Sequence, residues 1–282
     1  MSCCCCREPY TTAGRTDTLN RVPTLRRGVQ VVGYETAPGG NTDDAALVVA
    51  TDGRVTRESL EPGRDISYTL GERHCAGTVE GERHVACSRP TAPYCERHTS
   101  RWACARCRGN CDLPLDTCRE EHAVYLAAFA PATFKIGVTR SWRLETRLRE
   151  QGVDRAGHLR TVADGRVARQ IEADIATTVG DRVRVPAKVR GLHRSVDEVV
   201  WDSLLGEFDP LATYSFEYGL ELGDRPVAET LATGTVRGAQ GRVVVLHRAG
   251  STYAVDMRDL VGYELRAGEP DRDLQSSLAA FE

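Results

Sequence analysis

The chain has 282 residues, 41% of them hydrophobic, and a formal net charge of -3. That is enough apolar material for one large core or two to three small ones. No apolar run reaches the roughly 20 residues a membrane helix needs, so a helical membrane protein is excluded and a soluble, cytoplasmic chain is expected. The charge is uneven: residues 101 to 170 carry 13 Lys+Arg against 8 Asp+Glu, and arginine supplies almost all of it, because Lys135 and Lys188 are the only lysines in the sequence. A local basic bias of this size fits contact with phosphates, and equally a face of solvated arginines.

Residues 1–28 show neither alternation nor a helical period, and the Cys3 to Cys6 run lacks the spacing of known ligand sets. This stretch is expected to be a disordered leader, or to reflect a start site assigned too far upstream. From 29 to 73 the pattern becomes alternating, with runs at Val29 to Tyr34, Ala45 to Ala50, Val55 to Leu60 and Ile66 to Leu70. Pro38-Gly39-Gly40, Asp52-Gly53 and Pro62-Gly63 break them, which predicts a small antiparallel sheet.

Residues 74–122 are too polar and too interrupted by Pro and Gly to pack a core unaided. They hold seven of the eleven cysteines: Cys75, Cys87, Cys95, Cys104, Cys107, Cys111 and Cys118, with His98 among them. Dense cysteines without a secretory signal favour metal ligation over disulfides. Cys95-Glu96-Arg97-His98 and Cys104-Ala105-Arg106-Cys107 are each a two-ligand knuckle. Eight ligands suit two closed tetrahedral zinc sites of a structural kind, with His74, His84 and His122 in reserve; which ligands share an ion stays open.

Residues 123–180 turn α/β. Ala123 to Phe129 and Phe134 to Val138 predict two strands about a turn at Pro131, Ser141 to Gln151 a helix ended by Gly152, and Leu159 to Val162 a third strand. After the Asp164-Gly165 turn, Val167, Ile171 and Ile175 mark a second helix. Residues 181–211 read as a helical linker, with Val199, Val200 and Leu204 as the apolar face of a short helix. From 212 to 282 short strands at Tyr214 to Leu222, Val227 to Val236, Arg242 to His247, Thr252 to Met257 and Val261 to Leu265 suggest a small barrel. The tetrapeptide Val-Gly-Tyr-Glu occurs at 32–35 and again at 261–264. The expected class is therefore α+β: an N-terminal antiparallel sheet, a zinc-binding segment, a β-β-α-β-α module and a C-terminal barrel.

Within the module, Arg140, Arg143 and Arg147 are spaced to share a helix face, and Glu172 stands at the edge of an apolar stripe where one Mg²⁺ or Mn²⁺ can be held. Phosphodiester cleavage requires charge neutralised on oxygen, a base for water, and usually a metal. Val124-Tyr125-Leu126, then Lys135-Ile136-Gly137 ten residues on, then Arg147-Leu148 and Glu172, resembles the GIY-YIG nuclease module, in its branch with Lys at the first position of the second motif. That resemblance covers roughly 122–178. It implies that Tyr125 is the base or orients the water, Lys135 stands near the phosphate, Arg147 clamps it and Glu172 binds the metal. The sequence departs from the pattern: Ala123-Val124 replaces the leading Gly-Ile, and the asparagine often found after the glutamate helix has no counterpart before Val185.

The order of Cys-rich segment, His-x-Val-Tyr-Leu-Ala, Lys-Ile-Gly-Val-Thr-Arg and Arg-Leu-x-x-Gln-Gly also resembles the domain of unknown function 2797 family, especially members from salt-loving archaea, from about Val29 onward. Two functions follow as expectations. One is a metal-dependent endonuclease on DNA or RNA; the other is a non-catalytic, zinc-stabilised module that binds nucleic acid or protein on the same scaffold.

Overall fold

The computed structural model describes residues 28–36, 45–99, 108–111 and 116–268. Apart from Gly28, the expected leader lies outside them, as do Cys104 and Cys107. The N-terminal strands are β1 (Val29–Glu35), β2 (Ala46–Thr51), β3 (Arg54–Ser59), β4 (Asp65–Arg73), β5 (Thr78–Glu80) and β6 (Arg83–Val85). The middle of the chain forms β7 (His122–Phe129), β8 (Thr133–Arg140), α1 (Leu144–Glu150), β9 (Arg155–Val162), α2 (Gly165–Ile175), α3 (Val185–Gly191), α4 (Glu198–Leu205) and β10 (Ala212–Ser215). Then come β11 (Val227–Ala228), β12 (Ala232–Gln240), β13 (Val243–Arg248), β14 (Ser251–Asp256), α5 (Met257–Leu260) and β15 (Tyr263–Ala267).

These elements overturn the expected fold class. The two ends of the chain do not make a separate small sheet and a closed barrel. They merge into one open eleven-stranded sheet, ordered β11-β14-β13-β12-β4-β15-β1-β2-β3-β6-β5 and mixed because β11 runs parallel to β14. The protein is predominantly β, which does not fit an α+β class built on a GIY-YIG-like module. The physical reason lies in β4: its backbone N–H and C=O groups present two edges to be paired, and it pairs with β12 through Tyr68 and Ala232 and with β15 through Leu70 and Leu265. The core follows the pairing. Val31, Leu47 and Ile66 from the first part of the chain share one buried cluster with Val236, Leu246 and Val255 from the last. Both Val-Gly-Tyr-Glu copies sit at the β1 and β15 junction, where Gln30 opposes Glu264 and the Gly262 N–H donates to the Val31 carbonyl at 2.8 Å.

The second sheet has four strands in the order β10-β9-β7-β8. β7 is paired along both edges, and both of its faces are covered, which is why Ala123 to Phe129 is apolar at every position. On one face Tyr125, Ala127 and Phe129 pack against Leu144 and Leu148 of α1. On the other, Val124 and Leu126 meet Ala168 and Ile171 of α2 and Trp201 of α4. The helix at 198–205 turns a different face inward from the one its valines suggested. Val199 is 81% exposed and Val200 is also outside, while Trp201 is buried and stacks on Phe134 at 6.1 Å between ring centroids. Asp197 sets that rotation by capping α4 through the Val200 N–H at 3.1 Å.

The two sheets dock through the Gln240-Gly241 turn of β12 and β13. Gln240 Nε2 donates to the Gly152 carbonyl at 3.0 Å and to Asp154 Oδ1 at 2.9 Å, just past α1. Among the described residues no helix is long and apolar enough to cross a membrane.

Candidate functional site

The first of two candidate centres sits against the large sheet. Cys75 follows β4, Cys87 follows β6, and Cys95 and His98 flank a tight turn closed by the His98 N–H to the Cys95 carbonyl at 2.9 Å. The four ligand atoms all lie within 4.8 Å of one another. His98 Nδ1 is 3.3 Å from Cys75 Sγ and 3.4 Å from Cys95 Sγ, and the Gly77 and Cys95 N–H groups donate to Cys75 Sγ at 3.4 and 3.3 Å. Three sulfurs and one imidazole nitrogen at this spacing, with backbone donors on the sulfur, can hold a metal such as zinc, and four protein ligands close the coordination sphere. Burial pushes the Cys75 thiol up. At Cys95 burial acts the same way but is outweighed, chiefly by the Arg97 N–H, and the thiol falls to about 6.

Two of the reserve histidines have other work. His74 bonds the Cys87 carbonyl at 2.9 Å and Gln30 at 3.1 Å, and His84 bonds the Ala76 carbonyl at 2.8 Å, so both hold the ligand loop rather than the ion. Gln30, buried in β1, also donates to the Gly262 carbonyl at 3.1 Å, which ties the loop to the β15 side of the sheet.

The remaining described cysteines lie elsewhere. Cys118 lines a cleft of about 630 Å³ on the four-stranded sheet, and Cys111 and Cys118 both neighbour Arg166. The fold brings Tyr125, Lys135, Arg147 and Glu172 together in this cleft, with Arg140, Arg143 and His122 on its walls. It runs along β8, with α1 on one side and α2 on the other. Its basic groups are Lys135, Arg140, Arg143, Arg147, Arg166, Arg169 and Arg182, against the carboxylates of Glu172 and Asp181. His158, on β9, is not part of it and instead meets the Arg160 carbonyl at 3.1 Å.

Tyr125 is fully buried and accepts a hydrogen bond from Gln151 Nε2 at 2.7 Å. Burial pushes its phenol up, so at neutral pH it is a hydroxyl that donates and orients, not a phenolate base. Lys135 Nζ lies 5.9 Å from the Tyr125 ring centroid, and burial, reinforced by the Arg147 guanidinium, brings its ammonium down to about 8. Arg147 shares Glu150 with Arg143, at 3.1 and 2.8 Å. Glu172 Oε2 is held by Arg169 at 2.6 Å.

A family model described as Protein of unknown function (DUF2797) matches residues 63–265. The chain belongs to this family. The DUF2797 match opens just before β4 and ends in β15, so it takes in both the Cys75 cluster and the cleft. No curated protein and no solved structure matches the chain.

Arg166, Arg169, Asp181 and Arg182, which line the DUF2797 cleft, and Gln151, which holds Tyr125, were not foreseen from the sequence. Their roles come from packing, and the basic bias of 101–170 hinted only at Arg166 and Arg169. Gly137 has a specific reason to be glycine, because a Cβ there would sit 2.5 Å from both Cζ and the hydroxyl of Tyr125. Gly137→Ala is expected to displace the Tyr125 ring and to cost about 1–3 kcal/mol, as overpacking does in a filled core. Chemical denaturation of the variant checks the cost.

Proposed function

We propose that the cleft binds the phosphodiester backbone of a nucleic acid and cleaves it with the help of one divalent ion at Glu172. The observation that carries this reading is the convergence of Tyr125, Lys135, Arg147 and Glu172 on one cleft whose other charged groups are mostly arginine. A phosphate there meets the Lys135 ammonium and the Arg147 guanidinium, while the Tyr125 hydroxyl orients the attacking water or the phosphate oxygen. Mg²⁺ or Mn²⁺ on Glu172, once bound, would polarise the phosphate and stabilise the leaving oxygen. Trp142 supports a nucleic acid over a lone phosphate. It is 71% exposed beside the cleft, with the Arg140 and Arg143 guanidinium carbons 5.7 and 5.9 Å from its ring, a platform of the kind on which bases stack.

The Arg169 to Glu172 ion pair favours a second reading, binding without turnover, because an ion must compete with Arg169 for that carboxylate. Incubating purified protein with DNA and RNA, with and without Mg²⁺ or Mn²⁺, separates the two. Metal-dependent cleavage lost in Glu172→Gln supports the first reading, salt-dependent binding without products supports the second, and no binding at all rejects both.

The same reading includes two structural zinc ions in a cytoplasmic protein. Cys75, Cys87, Cys95 and His98 take one, and Cys104, Cys107, Cys111 and Cys118 take the other. Support for the second is the knuckle spacing of Cys104 and Cys107 and the shared neighbourhood of Cys111 and Cys118 at Arg166.

Lys135 makes binding depend on pH. Its ammonium is lost as pH rises through about 8, so affinity for a short oligonucleotide is expected to fall across that value in the wild type and to stay flat in Lys135→Met. Titrations followed by fluorescence anisotropy at pH 6.5 and 9 check this.

A further inference from the structure

A second cavity, of about 860 Å³, lies across Arg147 from the cleft. Arg147 and Gln151 form one wall, Arg184 and Lys188 another, and Arg242 and Asp256 of the large sheet a third. Four carboxylates, Glu150, Glu229, Asp256 and Asp259, line it as well, and two of them are tied to its arginines. Glu150 is held by Arg143 and Arg147, and Asp256 accepts from Arg242 at 2.8 Å while capping α5 through the Arg258 N–H at 3.0 Å.

Its cations, by contrast, keep donors in hand. Lys188 is largely buried, with Nζ 4.3 Å from the Phe129 ring centroid and one hydrogen bond, to the Gln151 carbonyl at 2.6 Å. Since an ammonium has three donors, two of them have no acceptor among the described residues. The Nε of Arg242 is buried and has no partner among them either. A donor without an acceptor costs free energy, and the Lys188 ammonium and the Arg242 guanidinium, both of which line this cavity, are served together by an anion. Burial, together with the charges of Lys135, Arg242 and Arg147, brings Lys188 down to about 7 against the opposing pull of Asp154, a carboxylate already held by Gln240 and the Ala130 N–H.

We propose that this second cavity is a binding site for a phosphate group, free or carried on a small molecule, held by Lys188 and by the guanidinium of Arg242. The site is separate from the cleft and does not require cleavage there.

Pyridoxal phosphate, which joins an aldehyde to a phosphate, tests it directly. The Lys188 amine adds to the aldehyde, water leaves, and borohydride reduces the resulting imine to a stable amine. With only Lys135 and Lys188 in the chain, peptide mass spectrometry assigns the label. Lys188 is expected to be labelled, and inorganic phosphate at about ten times its dissociation constant is expected to slow that labelling roughly tenfold. A nucleoside monophosphate forms a parallel arm, and whichever competitor protects at the lower concentration identifies the source of the phosphate. In Arg242→Gln, which removes the guanidinium and its charge but can still donate to Asp256, Lys188 is labelled and no longer protected; Arg242→Met behaves the same way. Absence of label at Lys188, label that neither competitor slows, or protection that survives both variants overturns the proposal. Protection at Lys135 is read from the same spectra, so failure of the cleft reading is seen independently.

Discussion

On the proposed reading, Glu172→Gln is expected to lower metal-dependent cleavage by about 1,000-fold, or about 4 kcal/mol of transition-state stabilisation, while leaving oligonucleotide affinity within about twofold. The argument rests on charge placement. Glu172 is one of two carboxylates in a cleft with seven basic side chains, and the amide substitution keeps its shape while removing the charge that a divalent ion needs. Affinity is expected to survive because, on that proposed reading, Lys135, Arg147 and the arginines around them carry phosphate binding. Affinity even rises slightly if Arg169 is released from its 2.6 Å ion pair and turns to the ligand. Single-turnover kinetics on a labelled substrate, paired with equilibrium binding, read the two quantities separately. A variant that cleaves at the wild-type rate removes the metal role from Glu172.

Cys95→Ser removes one metal equivalent and lowers the melting temperature by roughly 10 °C. Structural zinc in small finger peptides is worth about 10–16 kcal/mol. Losing only about 4 kcal/mol of that, at roughly 2–4 °C per kcal/mol in a chain of this size, gives the stated shift. The substitution keeps the backbone turn that carries His98 and the N–H that donates to Cys75 Sγ at 3.3 Å, so the loss reads the ligand sulfur alone. Elemental analysis and calorimetry on wild type, variant and chelator-treated protein check both parts. With two structural ions, a strong chelator is expected to remove two equivalents from the wild type and the one that remains from the variant, so that both reach the same destabilised state.

The sequence was readable where structure is local. The strand pair around Pro131, the Asp164-Gly165 turn and the helices that follow are specified by neighbours a few residues apart, and from there Tyr125, Lys135, Arg147 and Glu172 reach one cleft. The Cys95 to His98 knuckle is legible for the same reason. Partner choice among strands was not. Alternation says that one face of β4 is buried; it does not say that the strands on either side of it come from the C-terminal part of the chain. A set of short C-terminal strands therefore looked like a barrel, when β12 and β15 instead pair with the N-terminal strands β4 and β1 and leave the sheet open. Helix α4 misled through composition, since three apolar residues suggested a face while Trp201 and the Asp197 cap decided which side turned inward. Lys188 and Arg242 had no signal beyond the rarity of lysine, because their meaning depends on how the two sheets dock.

The placement of β4 also bears on how the chain is made. Tyr68 and Thr233 bond one another across 165 residues, so β4 leaves the ribosome long before either of its neighbours exists. The metal loop and the four-stranded unit, whose contacts close sooner, can be complete while both edges of β4 are still bare. Contacts that wait on such long loops form slowly, and bare edges in the interval recruit other chains. The large sheet is thus the last part of the molecule to finish, and its final strand, β15, seals the gap between β4 and β1.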